Sequence, residues 1–354
     1  MRYVGLDVHQ NRSSLCILDG NGKRVKEFEV RGGWDKLLEA IKEIAKDGPF
    51  AVCYEASCGY GVLYERLSKL AARVSVAHPG RLRLIFKSKR KNDRVDARKL
   101  ATLLFLDQVP AVHVPSLDVR SWRGMIEHRH KIMQKRVATK NQIKGLLRGQ
   151  GLRPPAELKL RGTHGLWTKK GLAWVATVEF PTAFDGVRRD MLLEELAEDQ
   201  RRLARVEAEL QKVADASPAV TLLRTIPGVG IRTAEAVAAY VDDPTRFGKL
   251  KAVGAYFGLV PCQDASADKN RLGHITREGP ATVRKMVAEA AWQAVRWCDE
   301  ARVFFERVMG DDPGRRKIAL VATAHWLLRV MLSMLKSGEV CRFQSRAQPA
   351  RKAA

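Results

Sequence analysis

The order of strand-like and helical runs at the start of the chain limits the folds that this sequence can adopt. Two strand-like runs, 2–8 and 12–18, are followed by "DGNG" and by a third such run at 24–30. Asp-Gly and Asn-Gly accept positive φ, so "DGNG" predicts a hairpin turn. A helical pattern at 34–46, the buried strand "FAVCYEAS", a helix at 60–72 and the strand "RVSVAH" come next. The order β-β-β-α-β-α-β predicts three antiparallel strands followed by units that add parallel strands.

One carboxylate interrupts the first of these strands. Asp7 lies within the run "YVGLDVHQ", and an ionised carboxylate is costly to bury unless another group compensates its charge. Taken alone, Asp7 is readily explained as a strand-end residue that reaches solvent. More acidic residues are expected close to it. Glu55 ends the fourth strand, next to the first in the usual sheet of this kind, and Asp93 and Asp96 begin a helix three residues apart.

These four carboxylates predict a metal site. Carboxylates that lie close together repel one another unless cations hold them. Oxygen ligands with open water positions suit Mg²⁺ or Mn²⁺, and two such ions can bind a phosphodiester at its attacking and leaving oxygens. Each acid also has a simpler explanation, since Asp93 and Asp96 suit a helix N-terminus and Glu55 can be a solvated strand end. Their joint placement in a strongly basic chain favours the metal site.

The charge of the chain predicts a polyanionic partner. Among its 354 residues, 63 Lys and Arg outnumber 39 Asp and Glu, which gives a net charge of +24. Nucleic acid is the leading candidate partner, and an anionic membrane surface is the alternative. The membrane is the weaker choice, because no run reaches about 18 uninterrupted apolar residues and the N-terminus has no signal-peptide pattern. We therefore expect a cytoplasmic, nucleoid-associated protein, and the six scattered cysteines fit a reducing compartment.

The middle of the chain is basic and largely helical. Nine Lys or Arg face two acids at 79–100, and ten face one acid at 120–153. The second of these segments predicts a long polar helix that ends near "GQGLRPP". Residues 154–190 are expected to form a loop-rich insertion with short helices.

A second long helix follows the insertion. Leu196, Leu203 and Leu210 recur every seven residues, which is coiled-coil spacing over about three repeats. This helix could pair antiparallel with the basic helix as one arm. Asp199 interrupts the apolar stripe, and an ordinary amphipathic helix packed on its own domain explains the pattern as well.

The last third of the chain contains two candidate sites. "IPGVG" with the following "IRTAEAVAAYV" resembles a helix-hairpin-helix turn, in which Gly228 and Gly230 would let backbone N–H groups approach a phosphate. A plain helix–helix turn is the alternative. Farther on, Ser266 lies in a polar segment with Lys269 and Arg271. A serine in such a loop can attack a phosphodiester, although most loop serines are turn residues.

Three N-terminal motifs, "GLDVH", "CYEAS" and "KNDRVDARKLA", carry a family resemblance. With the strand order, they resemble the ribonuclease H-like, RuvC-like domain of DEDD transposases, and more narrowly the insertion-sequence family numbered one hundred and ten. The resemblance implies that Asp7, Glu55, Asp93 and Asp96 are the four metal-binding acids. The cofactor it implies is Mg²⁺ or Mn²⁺.

The segment 258–279 is similar to the C-terminal domain of the same family. A serine in this loop is the proposed nucleophile there, so the resemblance points to Ser266. The family pattern commonly has two serines, and this chain has Ala265 at the first of them. It also has Asp268 where a glycine is usual.

The resemblance implies a mechanism and a set of partners. The serine would attack a DNA phosphate and form a phosphoserine link, and strand exchange would reverse the attack on a new end. The implied partners are double-stranded donor and target DNA and a structured guide RNA encoded by the element. An active site split between distant segments is compatible with a homo-oligomer, a dimer or a tetramer, and no membrane partner is expected.

The predicted fold class is an α/β N-terminal ribonuclease H-like (RuvC-like) domain, a helical coiled-coil arm, and a mainly α C-terminal domain with a helix-hairpin-helix. The predicted boundaries are 1–115 for the catalytic domain, 116–217 for the arm with its insertion, 218–340 for the C-terminal domain and 341–354 for a basic tail. The predicted nucleic-acid contacts are Lys87, Lys89, Arg90, Lys91, Arg129, Lys140, Lys144, Gly228, Gly230, Lys269 and Arg271.

Two other functions use part of the same sequence. A structure-selective nuclease of the Holliday-junction resolvase type would need the four acids and the metal but not Ser266. A non-catalytic nucleic-acid binder would need neither. The second domain with its serine block favours a recombinase, because a resolvase has no use for it.

Overall fold

The computed structural model describes residues 1–85, 93–158, 162–266 and 269–343, without the side chains of 265–270 and 162–163. The chain divides into two compact units, Met1–Arg120 and Ser121–Ala354. Lys87, Lys89, Arg90 and Lys91, which were predicted to contact nucleic acid, lie outside the described residues.

The first unit contains a five-stranded mixed sheet. In chain order its strands are β1 (Arg2–Val8), β2 (Arg12–Leu18), β3 (Arg24–Arg31), β4 (Phe50–Glu55) and β5 (Arg73–Ala77). Across the sheet the order is β3-β2-β1-β4-β5. β1, β2 and β3 pair antiparallel, whereas β4 runs parallel to both β1 and β5. The mixed α/β N-terminal domain predicted from the sequence is therefore confirmed, and its sheet is consistent with a RuvC-like fold.

Helices cover both faces of this sheet. They are α1 (Trp34–Lys46), α2 (Tyr60–Leu67), α3 (Pro79–Ile85) and α4 (Asp93–Phe105). Val4 and Leu6 of β1 lie in one core with residues of α1 and α2. Successive strand residues point to opposite faces, so Gly5 and Asp7 belong to the other face, on which α4 packs.

The second unit is mostly helical. Its long helices are α5 (Leu117–Gly149), which begins within the first unit, and α7 (Ala183–Ala216), with α6 (Lys169–Thr177) between them. α5 and α7 pair antiparallel, because Arg129 binds Glu207 while Lys135, farther along α5, binds Glu195, which is earlier in α7. The antiparallel pairing considered from the sequence is present within this unit.

The remaining elements form the C-terminal part of the second unit. They are α8 (Pro218–Leu223), α9 (Ile231–Val241), α10 (Ala252–Tyr256), β6 (Pro261–Ser266), β7 (Lys269–Ile275), α11 (Ala281–Trp297), α12 (Asp299–Met309) and α13 (Arg316–Ser337). By length and composition, the segment Pro313–Ser337 could cross a membrane. Its residues Leu327, Leu328 and Met331 are fully buried in the core of this unit, as in the central helix of a globular domain.

The polar segment predicted as a loop from Gln263 to Gly273 is mainly a β-hairpin. β6 and β7 pair antiparallel, with Asp264 opposite Arg271. The described side chains on both strands are exposed or nearly so, so neither face has the apolar alternation that identifies a strand in a sequence. Backbone pairing without a buried face explains why the loop prediction was wrong.

Candidate metal centre

Asp7 lies at the end of β1 where the strand leaves the sheet core. It pairs with Ser14 of β2, and its side chain is 20% exposed. Burial raises the pKa of the Asp7 carboxyl, and the negative charges of Asp93 and Asp96 raise it further against the opposing effect of His9. A carboxylate in this position gains from any cation that binds beside it.

Gly5 brings helix α4 against β1 and so positions the acids of α4. A Cβ atom on Gly5 would lie 2.0 Å from the carbonyl oxygen of Ala97 and 2.4 Å from the backbone nitrogen of Ala101. Ala97 and Ala101 are fully buried and have the smallest side chains that a helix former offers. This close approach places the first turn of α4, which carries Asp93 and Asp96, beside the end of β1.

Two basic side chains hold Asp93: His9, in the turn between β1 and β2, and Arg12, the first residue of β2. Nη2 of Arg12 donates a short hydrogen bond to Oδ2 of Asp93. Nε2 of His9 lies 3.8 Å from the same oxygen and 3.4 Å from Oδ2 of Asp7. Asp96 pairs one turn along its own helix with Lys99, whose Nζ lies 3.0 Å from its Oδ1.

His9 was not among the residues predicted from the sequence. One ligand atom each from Asp7, His9 and Asp93 lie within 4.8 Å of one another. The sequence did contain a signal for His9, because residues two apart on an extended chain point to the same side and His9 follows Asp7 by two. Arg12 gave no comparable signal, because its contact with Asp93 spans 81 residues of sequence.

Glu55 reaches the same edge of the sheet by a different route. It is the last residue of β4, and the parallel register that pairs Leu6 with Tyr54 brings the next residues, Asp7 and Glu55, to the ends of neighbouring strands. Glu55 is exposed and is not part of the tight group of Asp7, His9 and Asp93. Of the four predicted acids, Asp7 and Asp93 belong to the tight group. Asp96 is near enough to raise the pKa of Asp7, and Glu55 lies at the exposed rim of the site.

These residues fit a divalent cation. Asp7 is crowded by like charges and partly removed from water, which is unfavourable unless positive charge compensates it. Arg12 supplies one positive charge, at Asp93. The donor set consists of carboxylate oxygens with one imidazole nitrogen, and this combination suits Mn²⁺ and, through its oxygens, Mg²⁺.

Ser266 is the last residue of β6, and its backbone pairs with Lys269, the first residue of β7. The tip between them, Ala267 and Asp268, lies outside the described residues, as do the side chains of Ser266 and Lys269. Arg271 is exposed on β7. The hairpin thus presents this polar segment on a two-stranded ribbon.

The predicted helix-hairpin-helix glycines have different environments. Gly228 has φ +87°, and a Cβ there would lie 2.5 Å from the backbone nitrogen of Ala294 in α11. Packing alone therefore explains the glycine at position 228. Gly230 precedes α9 as its N-cap with no atom within 4 Å of an added Cβ, so it has the open surroundings that a phosphate contact needs.

The predicted basic contacts on α5 also differ among themselves. Arg129 is 20% exposed and paired with Glu207 within the arm, which gives it a structural role. Nζ of Lys140 and Nζ of Lys144 lie 5.0 Å and 5.6 Å from the ring centre of Trp167.

Comparison with known proteins gives matches to two family models along the chain. Residues 4–150 match the family model for the DEDD transposase of IS110 elements, and residues 220–306 match the model described as the transposase IS116/IS110/IS902 family. The chain belongs to the IS110 family of DEDD transposases. The first match contains Asp7, Glu55, Asp93 and Asp96, and the second contains Ser266.

Relatives of this transposase come from several bacteria. The transposase for insertion sequence element IS1111A of Coxiella burnetii is 25% identical over 84% of this chain and 78% of its own length. The transposase for IS1328 of Yersinia enterocolitica is 27% identical over 81% of this chain and 82% of its own. The transposase for IS1533 of Leptospira borgpetersenii is 24% identical over 82% and 84%. This IS110-family transposase is therefore an enzyme of DNA cleavage and transfer, and DEDD transposases are generally dependent on divalent metal ions.

Proposed function

We propose that this transposase excises and inserts its element by metal-dependent strand exchange with Ser266 as the nucleophile. The observation that carries the metal part is the group formed by Asp7, His9 and Asp93, whose ligand atoms lie within 4.8 Å of one another at the end of β1. Asp93 and Asp7 would hold the ion, Asp96 and Glu55 would complete the acidic set, and His9 would add a nitrogen ligand. A bound Mg²⁺ or Mn²⁺ would supply positive charge for the phosphate and for the departing oxygen.

The proposed serine step conserves atoms and charge. The Ser266 hydroxyl gives up its proton to solvent as its oxygen forms a bond to the DNA phosphorus. The bond from phosphorus to the 3′ oxygen breaks, and that oxygen takes up a proton. Rejoining runs the same exchange in reverse, with a new 3′ hydroxyl displacing the serine. Lys269 and Arg271 follow the serine on the hairpin, and their positive charges would favour phosphate there.

The partners in this proposal are nucleic acids and further copies of the chain. The net charge of +24 supports binding to donor and target duplexes and to a structured guide RNA. The candidate metal residues and Ser266 belong to different units of the chain, which is compatible with a dimer or a tetramer that assembles complete sites. Association with the nucleoid would follow from the same charge.

The test is formation of an excised circle by the chain beside its flanking DNA, read by junction PCR. Asp7→Asn and Ser266→Ala should both abolish the junction product. Asp35→Asn and Ser68→Ala are matched controls, because Asp35 is 94% exposed on α1 and Ser68 is exposed at the end of α2. Both controls should form the circle.

The pattern of failures separates the mechanisms. If Ser266→Ala still forms the circle while Asp7→Asn does not, metal-dependent strand transfer without a serine nucleophile replaces the proposal. A resolvase-like nuclease would also tolerate Ser266→Ala but would cut branched DNA without producing a junction. RNA that co-purifies with the wild-type protein, when sequenced, tests the guide directly.

A further inference from the structure

The arm contains a cavity that the proposed chemistry does not use. It has a volume of about 480 Å³, within the range of small-ligand sites. Its apolar lining comes from α6 and α7, and polar groups from α5 and α7 border it. The lining residues are Arg136, Lys140, Trp167, Leu172, Ala173, Leu193, Leu196, Ala197 and Gln200. We call this cavity the Trp167 pocket.

Arg136 and Lys140 of α5 line one side of this pocket, and Lys144 lies beside its Trp167 wall, 5.6 Å from the ring centre. Arg136, Lys140 and Lys144 are spaced by four residues, so they lie on one face of the helix. In the described part of the chain, none of the three forms an ion pair with a carboxylate. Their mutual repulsion together with burial lowers the pKa of Lys140, and burial contributes the larger share.

Neighbouring cations of the same helix behave differently. Lys135, one residue before Arg136, lies 2.8 Å from Oε1 of Glu195, and Arg129 lies 2.6 Å from Glu207. The arm therefore supplies acidic partners to Arg129 and Lys135 and, among the described residues, none to Arg136, Lys140 or Lys144. Nε of Arg136 is buried and has no hydrogen-bond partner among the described residues. Buried polar groups are rarely left unsatisfied, so this N–H is available to a hydrogen-bond acceptor from outside the chain.

Trp167 gives the pocket an aromatic wall. Its indole is partly buried against the apolar cluster of Ile143, Leu147, Leu192 and Leu196, so its position is fixed by packing. An aromatic wall over an apolar floor, with cations along one side, matches the chemistry of a nucleotide, which joins a flat base to an anionic phosphate. Bases within a duplex are stacked and paired and cannot enter a pocket, whereas those of a single strand can be splayed out.

We propose that the Trp167 pocket binds one unstacked nucleotide of a single-stranded nucleic acid, with the base beside Trp167 and the phosphates facing Arg136, Lys140 and Lys144. This inference rests on the proposed function, since it assumes a nucleic-acid partner. The inference adds the place on the arm where a strand binds, and it specifies that the strand is single and its base unstacked. Single-stranded RNA and single-stranded DNA share the required chemistry, and the experiment distinguishes them.

The experiment uses the full-length chain and short single strands that contain 5-iodouracil, prepared as RNA and as DNA. Irradiation cross-links this base to an aromatic ring on which it lies, and mass spectrometry of the digest locates the bond. We expect the cross-link at Trp167 with the RNA strand, the DNA strand or both, and the result shows which of the two nucleic acids the pocket accepts. Binding without a cross-link at Trp167 would overturn the proposal.

Affinity measurements by fluorescence anisotropy provide the second readout. Trp167→Leu should weaken single-strand binding by about five- to a hundredfold, the usual value of one stacked base, and leave duplex binding unchanged. Trp167→Phe should keep most of the affinity. Lys140→Gln should reduce the slope of log affinity against log salt by about 0.7, as for the loss of one phosphate contact.

Trp174→Leu is the matched control, because Trp174 packs on the same apolar cluster without lining the pocket. Two outcomes would mean that Trp167 has only a structural role in the arm. One is an equal loss of single-strand affinity in Trp167→Leu and Trp174→Leu, and the other is an equal loss of duplex and single-strand affinity in Trp167→Leu. If Trp167→Leu keeps full single-strand affinity while Asp7→Asn and Ser266→Ala both still abolish circle formation, the pocket proposal fails and the proposed function stands.

Discussion

Replacing Gly5 with alanine should displace the helix that carries half of the candidate acids. The added Cβ would lie 2.0 Å from the Ala97 oxygen, whereas ordinary contacts begin at 3.4 Å, so α4 would have to recede by roughly 1.4 Å. Neither nearby group can rotate away, because both the Ala97 oxygen and the Ala101 nitrogen belong to the helix backbone. Overpacking of this kind costs about 1–3 kcal/mol of folding free energy.

The effect on the metal centre should exceed the effect on stability. A displacement of about 1 Å at a catalytic group can cost on the order of a hundredfold in rate. Asp93 and Asp96 move with α4, while Asp7 and His9 remain with β1 and its turn. We therefore expect Gly5→Ala to fold with a lowered urea midpoint and to lose most of its Mn²⁺ affinity and circle formation.

Gly20→Ala is the control for this experiment. A Cβ at Gly20 would have its nearest neighbour at 3.7 Å, and the residue belongs to the same unit. Urea unfolding and isothermal titration with Mn²⁺ measure the two effects separately. If Gly5→Ala matches Gly20→Ala in both measurements, the seating of α4 on β1 is not what positions the acids.

Three further predictions concern single side chains. The folded-state pKa of Asp7 is raised, so its protonated form stabilises the fold below its unfolded pKa, and this contribution is lost as pH rises through the folded pKa. Asp7→Asn should therefore raise the urea midpoint of the metal-free protein at neutral pH, and the difference should shrink towards acid pH. The same substitution should abolish Mn²⁺ binding in calorimetry. A lower midpoint for Asp7→Asn at neutral pH would contradict the assigned direction. His9→Gln should remove the nitrogen modulation of bound Mn²⁺ in pulsed electron paramagnetic resonance. His164→Gln is the control at an exposed position of the second unit and should keep that modulation. A wild-type signal without nitrogen modulation would show that His9 pairs with Asp7 and does not bind the metal. Asp199 is 1% exposed, its Oδ1 lies 3.7 Å from Nζ of Lys135, and its Oδ2 has no partner among the described residues. Lys135 keeps its contact with Glu195 when Asp199 is removed, so Asp199→Leu should leave stability unchanged or raise it, and a lowered thermal midpoint would refute this.

The sequence by itself predicted the five strands of the first unit and three of its four helices, but not α3. Strands and helices there follow apolar alternation of period two and of 3.6, and "DGNG" determines the hairpin, so the five strands lie where the pattern predicts them. Local pattern was sufficient because α1 buries one face against the sheet, while β2 and β4 are buried along nearly their whole length. The metal hypothesis also came from sequence, since Asp7 in an apolar run is unusual without a neighbouring charge.

Tertiary structure decided which distant side chains are in contact at the candidate metal site. The contact of Arg12 with Asp93 and the seating of α4 at Gly5 join segments about 80 to 100 residues apart, and no local pattern encodes such pairs. The same limit applies to the Trp167 pocket, which three separate helices and a short turn build together. The hairpin at Ser266 eluded prediction for the opposite reason. Its strands bury little, so backbone pairing alone holds them, and the side-chain sequence carries no sign of it.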